Sequence, residues 1–309
     1  MVIRKRRNYR NRVYSNLKLY LDQLLVERGW YDNVASGETD WHGNNLSQLF
    51  AIQDDPRYPI DSGTSVHIWQ GYKKNWVIES GMEPFTSGLT NPTIPRAIII
   101  GGVSWPVRAF GGASGVAIDF RNGRVIVESG ITFGTTVEVV HSEKYVWVDT
   151  ISRDLISNQV TYIDNTKRVA VSEIPSGQIS QVPMILMEMT ASKAPQGMEL
   201  GGGLILKPTM HLHIIANNRW DKDELIDFLE QRKDETIQMI SLDDVPAQFT
   251  YEGDFAAGWL TRQNLIISYK DKNLYITDVS LLRNDDIAED GYYTAILRME
   301  MEIWVKEQL

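Results

Sequence analysis

From Tyr293 to Val305 the chain alternates with a period of two. Tyr293, Ala295, Leu297, Met299, Met301, Ile303 and Val305 interleave with Thr294, Ile296, Arg298, Glu300, Glu302 and Trp304. Successive side chains of a strand point to opposite faces, so one face of this segment is apolar and the other mostly charged. The pattern lasts about thirteen residues, whereas strands usually run about 5–6. A strand of that length either curls through a barrel or pairs over its outer half with a neighbouring subunit. The fold class expected around it is α+β and β-dominated: antiparallel sheets or a barrel-like sandwich, with a few short helices and long interface arms.

Other elements are marked more locally. Val116–Phe120 and Arg124–Glu128 flank Arg121-Asn122-Gly123, and Asn-Gly between two β-rich runs marks a hairpin because both residues tolerate positive φ. Thr135–Val140 and Lys144–Thr150 predict a second hairpin turning at His141-Ser142-Glu143. Ser65–Glu79 reads as two strands broken near Gly71. Val182–Thr190 and Thr209–Ala216 read as strands joined by a glycine-rich link through Gly201-Gly202-Gly203. Thr236–Ile240, Asn264–Tyr269 and Leu274–Leu282 add further strands. Leu17, Tyr20, Leu21, Leu24 and Leu25 recur at helical spacing before Gly29, which predicts a short amphipathic helix. Asp221 is placed to cap a second helix with Leu225, Ile226, Phe228 and Leu229 on one face. Trp30–Pro59 reads as loop with one short element. Gly81–Gly115 is rich in Gly, Pro, Thr and Ser around the apolar run Ala97–Ile100, and reads as a surface excursion or interface arm. The expected organisation is a basic amino-terminal helix at 1–30, a β-rich region at 31–165 carrying the excursion 81–115, and an α+β domain at 166–309. At 309 residues the chain can bury a sizeable core as one large domain or two.

Composition narrows the chemistry. The absence of Cys removes disulfides, thiolate nucleophiles and Cys-based zinc sites together. A net charge of −9 argues against a nucleic-acid-binding domain. The exception is the start, where Arg4, Lys5, Arg6, Arg7, Arg10 and Arg12 crowd together. Such a run can touch phosphate or lipid headgroups. Beside an acidic remainder, the acidic surface of a partner subunit is the favoured target, with Arg4, Arg6 and Arg7 as interface candidates. No window approaches the roughly 18 consecutive apolar residues of a membrane span, and Asn16–Glu27 is too mixed for a signal peptide. The chain reads as soluble, with no membrane partner.

No motif carries catalysis. His211 and His213 lie two apart on a predicted strand, the spacing of many strand-borne metal pairs. With no Cys and no carboxylate cluster nearby in sequence, a half-buried strand face accounts for them and no metal is assigned. Asp54-Asp55, Asp243-Asp244 and Asp285-Asp286 lack calcium-loop spacing and read as solvated turns. Gly111–Gly115 has neither the lysine and following helix of a phosphate-binding loop nor the letters of a nucleophile elbow, and Gly201–Gly203 fails the same phosphate-loop test. No catalytic residue and no cofactor are assigned, and the chain reads as a non-enzyme. Trp304, on the polar face of the last strand, is the first interface candidate among the aromatics, and Trp105, in the excursion, is the second.

The basic helical start, the Gly/Pro-rich excursions and the hairpin Gly115–Val127 resemble virion structural proteins of tailed bacteriophages. The half from about Val182 to Val305 resembles the small α+β unit of neck, head–tail connector and tail-terminator proteins. That resemblance implies a tail-terminator-like domain at 166–309 and a subunit forming an oligomeric ring in the neck or at the head–tail junction. It implies assembly in the host cytoplasm and residence in the virion. The implied partners are further copies of the chain and other virion proteins (connector, tail tube, sheath), with DNA passing an acidic lumen without specific binding. The alternatives are a tail- or baseplate-associated structural protein and a β-rich carbohydrate-binding or hydrolytic protein, the last using separated carboxylates such as Asp119 and Glu128.

Overall fold

The computed structural model describes residues 2–39, 43, 45–52, 65–71, 75–77, 97–106, 116–119, 123–132, 134–150, 182–190, 193–197, 203–241, 270–285 and 292–306. The alternating segment forms strand β17 (Tyr293–Lys306), the spine of the larger sheet. Ala295, Leu297, Met299, Met301 and Ile303 are all buried on one face, as the period of two requires. Along one edge β17 pairs antiparallel with β16 (Lys270–Asp285). Along the other it pairs with β14 (Thr209–Ala216) and then β13 (Gly203–Lys207). These two are one long strand interrupted at Pro208, which has no N–H for a ladder but whose carbonyl still accepts from the Met301 N–H. β11 (Met184–Met189) and β12 (Lys193–Gly197) run beside them in the same way. The glycine-rich link is therefore shorter than expected, because strand continues on both sides of it. Two long hairpins make the body of the sheet. β10 (Trp147–Thr150), parallel to β11, lies at one margin and β15 (Thr236–Ile240), beside β16, at the other. The expected strand Asn264–Tyr269 lies outside the described residues.

The sheet curls into a half-barrel, and the molecule is α+β and β-dominated. Helix α1 (Val2–Glu27) touches both margins, β10 and β15, so it closes the open side like a missing stave. Its Val13, Leu17, Tyr20, Leu21 and Leu25 enter the same core as Ile185, Leu212, Leu274 and Leu297. The helix lies within the 1–30 expected for the basic amino-terminal element and reaches back past the apolar repeat, because its Arg- and Lys-rich start has good intrinsic helix propensity although it lacks an apolar period. It ends on Gly29 at φ +86, with the Gly29 N–H donating to the Val26 carbonyl and the Trp30 N–H to that of Leu25, the paired bonds of a left-handed helix terminus. Helix α2 (Arg219–Glu230) packs Leu225, Ile226, Phe228 and Leu229 against the same core, over β14, β16 and β17. Its cap is Asn218 rather than Asp221: the Asn218 side chain accepts from the Asp221 N–H at 2.8 Å, and Asp221 occupies the first turn.

Between α1 and β10 sits a second set of strands. β2 (Phe50–Ile52), β3 (Ser65–Gln70), β7 (Arg124–Thr132) and β6 (Val116–Asp119) form one sheet, joined in the order β2-β3-β7-β6. β5 (Val103–Pro106), β4 (Ala97–Ile100) and β8 (Val137–Val139) form another. They share a core of Leu49, Trp69, Trp76, Ile98, Val125, Val137 and Val139. The Asn-Gly hairpin is present, with Asp119 opposite Arg124 and Gly123 at φ +60. Two strands, β1 (Tyr31–Val34) and β2, occupy the stretch read as loop at Trp30–Pro59. Within the excursion 81–115, residues 97–106 are a hairpin turning on Gly101 and Gly102 at φ +54 and +82, a two-residue turn that asks for positive φ twice. The remainder of that excursion lies outside the described residues.

The second hairpin expected at Thr135–Thr150 does not form. His141-Ser142-Glu143, read as its turn, belongs to β9 (His141–Lys144), which pairs with β1 and is buried throughout. Polar groups reach that depth only with partners. The ring nitrogens of His141 face the Val139 carbonyl at 3.0 Å and the Glu143 carboxylate at 3.2 Å, Ser142 donates to Asn33, and Lys144 pairs with Asp22 of α1 at 3.0 Å. The organisation expected from the sequence is corrected accordingly. α1 and β10 belong to the half-barrel, which is discontinuous in the chain, and the β-rich unit is an insertion within it; residue 165 lies outside the described residues.

Candidate subunit interface

β15 covers the outer edge of β16 only at its beginning, from Lys270 to Tyr275. One more backbone exchange follows, between Ile276 and the Asp234–Glu235 turn. From Asp278 to Asp285 that edge has no strand partner among the described residues. Register shifts at Ile276/Asp278 and Leu281/Arg283 twist the hairpin. The second shift lets adjacent leucines both reach solvent, Leu281 at 39% and Leu282 at 50% exposure. An uncovered edge is a template for another strand, and natural edges are usually blunted with charge. Here the charge sits at the two ends of the stretch, where Asp278 pairs with Lys233 at 3.2 Å and Arg283 with Asp285, and none lies between Val279 and Leu282. Arg283 and Thr294 both donate to Asp285, and the Arg283 hydrogen bond is the main reason the Asp285 carboxyl is held below the usual carboxylate range.

The sequence-predicted interface residues fall as follows. Trp304 is 54% exposed near the other end of the same hairpin, on the face away from the helices, with its ring 6.1 Å from that of Tyr275. Trp105 is exposed together with Val103 on β5, an edge strand of the inserted unit. The two tryptophans thus mark separate sheets rather than one patch. Arg4, Arg6 and Arg7 lie on the first turns of α1, where the backbone alone is described. The side chains of Asp119 and Glu128 lie outside the described residues. Leu281 and Leu282 were not singled out, although the sequence carries the signal: two successive leucines cannot both face the core of a strand that keeps a period of two. Trp220, the most exposed large apolar side chain among the described residues, stands at the start of α2. No helix among the described residues is long and apolar enough to cross a membrane.

What this arrangement can do is recruit a strand. The opposite flank of the sheet is also without a second partner: β12 pairs with β13 on one side and has no strand partner on the other among the described residues, although Pro195 at its centre has no N–H to offer and limits that edge to its other backbone groups. The uncovered parts of β16 and β12 lie on different edges of one sheet, so joining one to the other between copies gives a head-to-tail contact. No protein-family model and no curated protein sequence matches the chain.

Proposed function

We propose that the chain is a non-enzymatic structural subunit of a tailed-bacteriophage particle, closing with copies of itself into a ring at the neck or head–tail junction. The observation that supports this reading most directly is the stretch of β16 that has no strand partner among the described residues, with Leu281 and Leu282 exposed along it. The distal half of β16 in one copy extends the sheet of the next at β12. Main-chain hydrogen bonds supply affinity and the leucines supply an apolar anchor. Such a contact is heterologous, and heterologous contacts close into rings when the rotation between subunits permits. The chain's net charge of −9 suits a ring whose lumen lets DNA pass without holding it. In this reading the ring assembles in the host cytoplasm, stays in the virion and meets the connector, tube or sheath proteins through Trp105 and the basic start of α1.

Light scattering of the purified full-length protein across a range of concentrations tests it. The expected mass is a stable multiple near six or twelve subunits. Leu281→Lys and Leu282→Lys are expected to shift it toward the monomer, each weakening association by about 2 kcal/mol or more, as hot-spot residues do. A strict monomer at every concentration, or an oligomer indifferent to both substitutions, would falsify this arrangement.

A further inference from the structure

On the half-barrel face away from the helices, β14 presents His211, His213 and Ile215, since the alternate residues Met210, Leu212 and Ile214 enter the core. In the adjacent strand Glu188 lies directly opposite His211, so its carboxylate stands on the same face as both imidazoles. The three ligand atoms lie within 4.8 Å of one another, and His213 Nε2 is already 3.0 Å from Glu188 Oε2. We propose that Glu188, His211 and His213 form a site for a divalent transition-metal ion, a reading that stands apart from the ring.

The donor set selects the ion class. Two imidazole nitrogens and one carboxylate oxygen suit Zn²⁺ and its neighbours Co²⁺, Ni²⁺ and Fe²⁺, whereas Ca²⁺ and Mg²⁺ want oxygen throughout. An ion about 2.0–2.2 Å from each donor needs only a modest rotation of side chains that are half-buried and solvent-reachable. The backbone needs no change, because β14 is held between β11 and β17 and fixes the two histidines on one face before any ion arrives. The adjacent floor is apolar, with Ile215 packed on Trp147, Met184 and Leu186. Arg298, the cross-strand neighbour of His211, is the nearest cation in the register, and its Nε points to Glu300 at 3.6 Å. Three protein ligands leave a position for water or an incoming donor, as in open rather than closed zinc sites. The carboxylate is supplied by a neighbouring strand rather than a neighbouring residue, which is why sequence spacing shows only the histidine pair.

The test uses untagged full-length protein, stripped with a chelator and dialysed, then titrated with ZnCl₂ by calorimetry and with CoCl₂ by visible absorption. Binding of a single ion per chain is expected, with Co²⁺ ligand-field bands. His211→Gln and His213→Gln, which remove an imidazole nitrogen, are each expected to weaken binding at least about tenfold, and Glu188→Gln to weaken it less, since an amide oxygen is left in place of the carboxylate although it is a poorer ligand. Circular dichroism and particle mass should remain those of the parent. His67→Gln is the control: that histidine lies on another sheet with its Nδ1 at the Val127 carbonyl, and its loss should leave binding unchanged. The assignment is overturned if no stoichiometric Zn²⁺ or Co²⁺ binding is found, if binding survives both β14 substitutions, or if His67→Gln removes it equally.

Discussion

Asn16 is the side chain on which the closure of the half-barrel turns. Its amide behaves as a strand would: Oδ1 accepts from the Ile240 N–H at 2.6 Å, and Nδ2 donates to the Ile240 carbonyl at 3.1 Å and to the Arg12 carbonyl at 2.8 Å. A helix thereby satisfies a sheet margin that would otherwise bury unpaired backbone. Replacing Asn16 with Leu keeps the bulk and strands both Ile240 groups. The expected loss is about 2–6 kcal/mol, since each of the two buried unsatisfied groups costs about 1–3. Urea unfolding measures it, and a change under about 0.5 kcal/mol would mean that water or a shifted backbone replaces the amide. Tyrosines make a second residue-scale case. Burial, then Glu235, holds the Tyr20 phenol above its ordinary range. Burial, then Asp221, pushes Tyr145 up to about 12, and burial raises Tyr31. The unfolded chain releases these protons near pH 10.0, while the folded chain retains them. Their stabilisation is therefore whole below that pH and drains away as pH rises through the folded values. Urea midpoints are expected to hold steady up to about pH 9.5 and to fall above pH 10, with a shallower fall in Tyr20→Phe and Tyr145→Phe. An unchanged slope in both variants would assign the alkaline loss elsewhere.

At the scale of elements, α2 is pinned to the far end of the β16–β17 hairpin by one fully buried cation. The Lys222 ammonium donates to Asn284 and lies 3.3 Å from Asp223. Lys222→Ala is expected to loosen that end selectively. Amide exchange near Leu281–Asn284 and Thr294–Leu297 should speed at least about tenfold while β11 keeps its protection, because opening proceeds in local cooperative units. A uniform change across the sheet would show that the lysine supports the whole core instead. The elements also show where sequence reasoning succeeds. β17, the Asn-Gly hairpin and the buried face of α2 were legible because each is specified by its own residues through a period or a turn. β9 was not, since His141, Ser142 and Glu143 read as a solvated turn until Asn33, Val139 and Asp22 of other elements supply partners for the strand. The Glu188–His211–His213 grouping was half legible for the same reason: the histidine spacing is local, and the register that brings in Glu188 is not.

At the scale of the whole molecule, the two units divide labour by sequence separation. The inserted strands from β1 to β9 pair chiefly among themselves, whereas the half-barrel draws on α1 and on everything from β10 onward. The unit with shorter closures is expected to fold first. Stopped-flow refolding with fluorescence from Trp69 and Trp76 should therefore lead the recovery of half-barrel packing reported by Trp147, in variants retaining only those tryptophans, and the reverse order would overturn this division. The stave helix carries a consequence for synthesis. Asn16 finds Ile240 only 224 residues later in the chain, so at ribosomal rates of about 5–20 residues per second α1 waits roughly 10–45 s with its apolar stripe uncovered. An uncovered apolar stripe is aggregation-prone for as long as it waits, and the last strands to emerge decide whether it is ever sheltered.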